Sequence, residues 1–185
     1  RAVDALKHSV DFIMSHNRDI LVRCDDSIAR WDGEQITYLR ISRGVAPFSI
    51  ELRSPEPDRL AVGAELKNTF CLVKNNFAYV SGHIGDLEQK EIFDCYRENI
   101  EHLLRVIDIK PKIIIHDLHP DYLSTRFALD YPDCDKAAVQ HHHAHVLSAM
   151  AEHKIDGEII GIALDGTGFG DDGTIWGGEI LVADR

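Results

Sequence analysis

The sequence contains few cysteines, and their positions favour neither a zinc ribbon nor a disulfide framework. The four are far apart and form no Cys-x-x-Cys pair; they are Cys24, Cys71, Cys95 and Cys134. We therefore expect free, buried thiols. No apolar run approaches the ~18 residues of a transmembrane helix, and no basic segment leads into an apolar one as in a secretory signal. These absences predict a cytoplasmic protein that does not bind membranes.

Positive charge is also scarce. Lys and Arg number 20 against 31 Asp and Glu, a net charge of −11, which argues against nucleic acid as a partner. Neither a Gly-x-Ser-x-Gly elbow nor a P-loop occurs, so a serine hydrolase and a P-loop NTPase are not indicated. With 44% hydrophobic and 28% charged residues, the composition is that of a globular protein. Both ends read as interrupted, so we expect a fragment of a longer chain.

Apolar spacing predicts an α/β protein in two parts. Val3, Leu6 and Val10 recur at helical intervals and predict an amphipathic helix over residues 1–15. Asp32-Gly33 between two apolar runs indicates a hairpin. Residues 54–58 read Ser-Pro-Glu-Pro-Asp, where two prolines favour an extended connection. We place a domain boundary there, between residues 1–54 and 55–185.

The second part begins as an antiparallel meander and continues with parallel crossovers. Its predicted strands cover 60–63, 68–73 and 77–81, with a turn at 74–76, then 113–115, 137–139, 159–164 and, after a turn at 171–173, 174–182. Its predicted helices cover residues 87–107, 123–129 and 141–153.

A histidine cluster is the strongest local signal for chemistry. Residues 140–145 read Gln-His-His-His-Ala-His. On a helix, His141 and His145 project from one face, where two imidazoles can share a metal ion. A third ligand must come from elsewhere, and Asp165 follows the strand at 159–164, at the sheet edge where ligands gather. The alternative is a solvated, histidine-rich helix start.

A glycine-rich segment follows Asp165. Residues 165–179 contain six glycines. Glycine allows positive φ, so we expect amide N–H groups to converge in one concavity that binds the oxyanions of a phosphate or adenylate. The candidates are Gly166, Thr167, Gly168, Gly177, Gly178 and Glu179. The alternative is an ordinary glycine-rich hairpin.

The turn at residues 63–70 is a third candidate. Lys67 could neutralise a phosphoryl group, and Asn68 and Thr69 could hydrogen-bond one, with Glu65 close by. The alternative is an exposed turn with a surface lysine.

Arginines of the leading part form a fourth candidate. Arg40 and Arg43, with Ser27, could hold an anionic substrate. A structural network with Asp25 and Asp26 is the favoured alternative. Polar residues at strand ends are further candidates for pocket lining; they are His83, Asp86, His116, Asp117, His119 and Asp121.

Five blocks, in this order, resemble the HypF carbamoyltransferases of hydrogenase maturation. They are AVGAELKNTFCL at 61–72, HIGDL at 83–87, HDLHPDY at 116–122, VQHHHAH at 139–145, and the stretch from LDGTG at 164–168 to GGE at 177–179. The resemblance covers nearly the whole chain. Residues 1–54 are similar to the end of that family's YrdC-like domain, and residues 55–185 to the start of its TsaD-like domain.

The resemblance implies a fold, a set of site residues and a reaction. Residues 55–185 are expected to form the first half of an ASKHA (actin/hexokinase, RNase H-like) fold, after the tail of a YrdC-like α/β domain. Iron or zinc, or manganese, is expected on His141, His145 and Asp165. Lys67 and Asp165 are implied as catalytic. Glu65, Asn68, Thr69 and the glycine-rich candidates are implied to bind the nucleotide or carbamoyl-adenylate, and Ser27, Arg40 and Arg43 to belong to the YrdC-like site.

The implied reaction uses carbamoyl phosphate and ATP with Mg²⁺. It makes carbamoyl-adenylate and passes the carbamoyl group to the C-terminal cysteine of HypE, for the cyanide ligands of [NiFe]-hydrogenase. Much of the family's length has no counterpart in these residues, so we expect this stretch to be inactive alone.

Two other functions are compatible with the same residues. An O-carbamoyltransferase or a tRNA threonylcarbamoyl transferase shares the metal-and-nucleotide half, but the Lys-Asn-Thr-Phe-Cys turn and the His-His-His-Ala-His run favour HypF. The net charge argues against the tRNA enzyme. From another class, the chain could be a noncatalytic docking or metal-storage module.

Overall fold

The computed structural model describes residues 2–184. Its helices are α1 (Ala2–Leu6), α2 (Lys90–Ile107), α3 (Leu123–Asp130) and α4 (His141–His153). Its strands are β1 (Ile28–Trp31), β2 (Ile36–Arg40), β3 (Phe48–Ala61), β4 (Cys71–Val80), β5 (Ile113–Asp117), β6 (Asp135–Val139), β7 (Ile159–Phe169) and β8 (Ile175–Ala183).

The central sheet has the order β4-β3-β5-β6. β3 and β4 form a long antiparallel hairpin, whereas β3 with β5 and β5 with β6 are parallel. The parallel pairs confirm the predicted crossovers. In α2, Tyr96, Ile100 and Leu104 recur every fourth residue and form the buried face. They pack in the main core with residues of the sheet and its loops, among them Leu60, Val62, Phe70, Leu72 and Ile114.

A second sheet contains only β7 and β8, which are antiparallel. α4 packs on one face of it through Val146 and Met150, which are buried with Ala163 and Ala183. A Cβ on Gly161 would lie 2.5 Å from Val146 Cγ2, so glycine permits this close approach of helix and strand.

The helix predicted over residues 1–15 is wrong in length, because α1 ends at Leu6. Arg1 lies outside the described residues. Val10, Ile13 and Met14 are 44%, 39% and 100% exposed. An amphipathic segment gains most of its helical stability from packing its apolar face, and these side chains have no core to cover.

The predicted meander is also wrong. The turn expected at residues 74–76 lies within β4, where Asn75 has φ 53° and pairs with Glu56 at an irregularity of the ladder. Residues 54–58 are extended, as expected, but they belong to β3. Their prolines lie where the β3–β4 register shifts, so their missing N–H groups are tolerated. The domain boundary proposed there remains a prediction.

The other predicted elements are confirmed, including the β1–β2 hairpin and helices α2 to α4. The cysteines are free, as expected, but the prediction that they are buried is wrong, because Cys24 is exposed and Cys71, Cys95 and Cys134 are only partly buried. Among residues 2–184, no helix combines the length and apolar character that a membrane crossing requires.

Candidate metal centre

The first turn of α4 carries the histidine cluster. α4 begins directly after β6, and the Gln140 side chain accepts a hydrogen bond of 2.9 Å from the backbone N–H of His143, which caps the helix. His141 and His145 lie one turn apart, and their Nε2 atoms are 3.2 Å apart. The helix therefore presents two imidazole nitrogens at one point, as the spacing predicts.

Asp165 of β7 faces these two nitrogens. Its Oδ2 lies 2.9 Å from His141 Nε2 and 3.5 Å from His145 Nε2. All three ligand atoms lie within 4.8 Å of one another. The structure thus brings together two histidines of α4 and an aspartate of a separate strand.

These atoms suit a divalent ion. Ligand atoms about 2.0–2.2 Å from one ion lie roughly 3.0–3.6 Å from each other, and the separations here are 2.9, 3.2 and 3.5 Å. Two imidazoles with a carboxylate are donors that iron, zinc and manganese accept. His141, His145 and Asp165 would hold such an ion from one side, which leaves further coordination positions for other ligands.

A second carboxylate lies behind His141. Asp117, the last residue of β5, places Oδ2 2.6 Å from His141 Nδ1. This hydrogen bond raises the pKa of His141 despite the opposing effect of burial, and the charges of Asp117 and Asp165 act in the same direction. Burial alone would raise the pKa of Asp165, but the Gly166 N–H and the two imidazoles bring it below its ordinary value.

A cavity of about 350 Å³ adjoins the two histidines. Small residues form much of its wall, and its polar lining includes Thr69, His116, Ser148 and the Asp117 carboxylate. Lys and Arg are absent from that lining. The lining beside the candidate metal centre therefore disfavours an anionic group such as a phosphate.

The glycine-rich segment does not form the predicted concavity. β7 continues through Asp165 to Phe169 and pairs with β8. Within residues 165–179, only Gly173 has positive φ, at 76°. The expectation that Gly166, Gly168, Gly177 and Gly178 direct their amides to one point is wrong, because extended backbone alternates the direction of successive N–H groups. The segment, which also includes Thr167 and Glu179, forms an antiparallel hairpin, and its binding of a nucleotide stays a prediction.

Gly168 has a packing role. A Cβ there would lie 2.3 Å from the ring of His142, which is fully buried. Gln140 Nε2 contacts both His142 Nδ1, at 3.1 Å, and the carbonyl oxygen of Phe169, at 3.3 Å. These contacts fix the start of α4 against β7, and so fix His141 relative to Asp165.

In the turn at residues 63–70, two candidates make structural hydrogen bonds. Glu65 is buried and accepts a hydrogen bond of 2.7 Å from Leu123 N, at the start of α3. Its burial raises the pKa of the carboxyl group. Asn68 is buried and donates to the carbonyl oxygens of Val62, at 3.0 Å, and Ala64, at 2.6 Å. The prediction that Asn68 donates to a phosphoryl group is wrong for this arrangement.

Lys67 and Thr69 do face open space. Both line a cavity of about 810 Å³ together with Arg40 and His83. Thr69 also lines the cavity beside the histidines. Lys67 has no ion-pair partner among residues 2–184.

The arginines of the leading part are paired with acidic residues, as the alternative interpretation holds. Arg40 Nη1 lies 3.2 Å from Asp25 Oδ2, and Arg43 Nε lies 3.4 Å from Asp26 Oδ1. Ser27 Oγ donates to the Arg43 carbonyl at 3.0 Å and accepts from Ser42 N at 2.8 Å. Ser27 therefore stabilises the backbone here rather than facing a substrate.

The contact of Asp117 with His141 was not predicted from the sequence, where Asp117 was a candidate only for pocket lining. A signal was present, because Asp117 ends one strand and His141 follows the next. Finding the contact required knowing that β5 and β6 are neighbours.

Known proteins resemble this chain over almost its whole length. The family model described as "HypF Kae1-like domain" matches residues 54–152, and the one described as "Carbamoyltransferase, Kae1-like Domain, second subdomain" matches residues 161–185. Carbamoyltransferase HypF2 of Cupriavidus necator is 45% identical over 189 residues, covering 99% of this chain and 23% of that protein. Carbamoyltransferase HypF of Rhizobium leguminosarum bv. viciae is 43% identical over 177 residues, covering 95% of this chain and 23% of that protein.

Two solved structures also resemble this chain. A crystal structure of full-length HypF in the phosphate- and nucleotide-bound form superposes with a TM-score of 0.90 at 45% identity, covering 99% of this chain and 29% of that chain. The crystal structure of HypF from T. kodakarensis gives a TM-score of 0.85 at 42% identity, covering 98% of this chain and 24% of that chain. The chain thus spans about a quarter of the relatives it matches, and its α/β fold is theirs.

Proposed function

Since the chain belongs to the HypF family, we propose that it is part of a cytoplasmic carbamoyltransferase. The substrates are carbamoyl phosphate and ATP with Mg²⁺, which give carbamoyl-adenylate. The acceptor is the C-terminal cysteine of a HypE-like protein, and the product supplies the cyanide ligands of [NiFe]-hydrogenase. Residues 55–185 would begin the TsaD-like ASKHA domain, and residues 1–54 would end a YrdC-like domain.

The observation that carries this proposal is the convergence of His141, His145 and Asp165. Their ligand atoms come from a helix and a separate strand and lie within 4.8 Å of one another, beside a cavity of about 350 Å³. A bound divalent ion would supply Lewis-acid polarisation of a carbonyl or phosphoryl oxygen. A histidine-rich helix start that was merely solvated would not need the carboxylate from β7.

The residues around the cavity favour a carbamoyl group over a phosphate. A carbamoyl group is small and uncharged. The polar part of the cavity wall consists of hydroxyl and imidazole groups and the Asp117 carboxylate, which would repel a phosphate. In the transfer step, the acceptor thiolate attacks the carbamoyl carbon and forms a C–S bond. The bond from that carbon to the adenylate oxygen breaks, and AMP leaves with the electron pair. The acceptor sulfur belongs to the partner, so the cysteines of this chain are not required.

Lys67 supports a phosphate-binding role for the neighbouring cavity. Its ammonium group is exposed beside Thr69, and the cavity of about 810 Å³ also includes Arg40 and His83. Asp25 and Asp86 line the same cavity, and Arg40 is paired with Asp25. Lys67 is therefore the cation that would stabilise a phosphate of ATP or of the adenylate. Thr69 lines both cavities, so a phosphate in the larger one would lie near a carbamoyl group in the smaller one.

The test compares metal content and turnover in the intact protein. We expect bound divalent metal and carbamoyl phosphate-dependent conversion of ATP to AMP, with carbamoyl transfer to a HypE-like acceptor. Asp165→Ala should abolish transfer and lower metal content. Asp171→Ala removes an exposed carboxylate of the same segment and should change neither. Transfer and metal content that survive Asp165→Ala would contradict the proposal, and metal uptake without any turnover would favour a storage module.

A further inference from the structure

We infer that Asp117 is a positioning residue for the candidate metal centre, whose carboxylate holds the His141 ring so that Nε2 is the nitrogen available to a cation. The inference rests on the proposed function, because it assigns a role to a residue that contacts a proposed metal ligand. Asp117 itself is not a ligand in this arrangement, since it contacts the opposite nitrogen of the ring.

The chemistry of the contact sets the tautomer of His141. An ionised carboxylate can only accept hydrogen bonds. Because Asp117 Oδ2 lies 2.6 Å from His141 Nδ1, the proton of the neutral imidazole must be on Nδ1. The lone pair of Nε2 is then directed towards Asp165 and His145, at 2.9 and 3.2 Å. A carboxylate behind a metal-binding histidine also makes the ring a stronger donor.

The fold fixes this carboxylate in place. The Asp117 side chain is only 7% exposed, and its Oδ1 accepts a hydrogen bond of 2.8 Å from His119 N. In the parallel ladder, Asp117 pairs with Val139, two residues before His141. Adjacent parallel strands therefore place the carboxylate beside the first turn of α4. A mobile surface side chain in its place would lose conformational entropy on binding His141.

The two histidines differ in how firmly their side chains are held. The His145 side chain is 57% exposed against 15% for His141. Among the described residues, no carboxylate contacts the second ring nitrogen of His145. One imidazole is therefore held rigidly and the other can adjust, so loss of Asp117 should affect the centre through His141.

The experiment measures Co²⁺ binding to the metal-free intact protein, by competition with a chelating dye and by the d–d spectrum. Asp117→Ala should weaken Co²⁺ binding about 10- to 100-fold and alter the spectrum. Asp117→Asn should weaken it less, because the amide oxygen can still accept the Nδ1 proton although its charge is lost. Asp121→Asn changes an exposed carboxylate that pairs with Arg126 and lies in the loop that follows Asp117, and should have no effect.

The melting temperature of the metal-free variants separates positioning from general structural support. Unchanged Co²⁺ affinity and spectrum in Asp117→Ala and Asp117→Asn would overturn the inference, even if both variants melt at lower temperature. In that case His141→Ala and Asp165→Ala would still weaken Co²⁺ binding if the metal centre exists. Failure of the unsubstituted protein to bind Co²⁺ would overturn the proposed function itself, and this inference with it.

Discussion

The cysteine thiols differ in how readily they ionise. Cys24 is exposed, whereas burial raises the pKa of the Cys71 thiol to about 11. The thiolate is the nucleophile, so near neutral pH we expect iodoacetamide to label Cys24 fastest and Cys71 slowest. The Cys71 rate should keep rising as the pH approaches 11. Mass spectrometry of digested time points measures both rates. Urea-unfolded protein is the control, in which the rates should converge; equal rates in the folded protein would contradict the prediction.

Individual site residues could be predicted where local geometry alone sets the direction of a side chain. Helical spacing places His141 and His145 on one face whatever surrounds the helix. For Glu65 and Asn68 the backbone turn leaves several directions open, and tertiary contacts with α3 and with the turn carbonyls decide between them. The sequence could not reveal those partners, so it did not show that both side chains make structural hydrogen bonds.

At the scale of elements, Gly168 decides how closely β7 approaches α4. In Gly168→Ala the new Cβ would lie 2.3 Å from the fully buried His142 ring. We expect a loss of about 1–3 kcal/mol in the free energy of unfolding, as for other overpacked sites. Urea denaturation followed by the fluorescence of Trp176, whose ring lies 6.2 Å from that of His142, measures the loss. Trp31 is replaced by Phe in every protein compared, so that the change in fluorescence comes from Trp176.

Gly166→Ala is the matched control for this substitution. It lies two residues earlier on β7, and a Cβ there meets nothing within 4 Å. Neither glycine has positive φ, so both backbones accept alanine without strain. Gly166→Ala should leave stability unchanged or raise it by up to about 1 kcal/mol. Equal losses in the two variants would show that contact with His142 is not the cause.

The sequence pattern agrees with the structure for α2 and differs from it for β4 and for residues 1–15. The periodicity of α2 matches a face buried against the sheet, so pattern and structure agree. The polar run at 74–76 indicated a turn, but β4 is an edge strand of the sheet and tolerates polar residues. The apolar spacing of residues 1–15 indicated a helix, but helical order there required a packing surface.

At the scale of the whole molecule, the β7–β8 sheet has one covered and one uncovered face. Strand alternation puts Gly161 and Ala163 towards α4 and leaves the other face apolar and exposed. Directly opposed pairs make that face continuous, namely Ile160 with Val182 and Ile162 with Ile180. These four side chains are between 65% and 73% exposed. Alternation predicted the strands, but only the sheet order shows that no other described strand or helix covers this face.

Contiguous exposed apolar surface favours association, so we expect the isolated 185-residue chain to bind a hydrophobic dye and to self-associate as concentration rises. Ile162→Thr combined with Ile180→Thr should reduce dye binding and self-association. The double variant interrupts the apolar strip formed by Ile160, Ile162, Ile180 and Val182, and threonine still favours strands. The control combines Val106→Thr with Leu129→Thr, which are 65% and 54% exposed but lie on separate helices. Dye fluorescence and sedimentation velocity measure the two effects. If both double variants reduce association equally, total exposed apolar area, and not this strip, drives it.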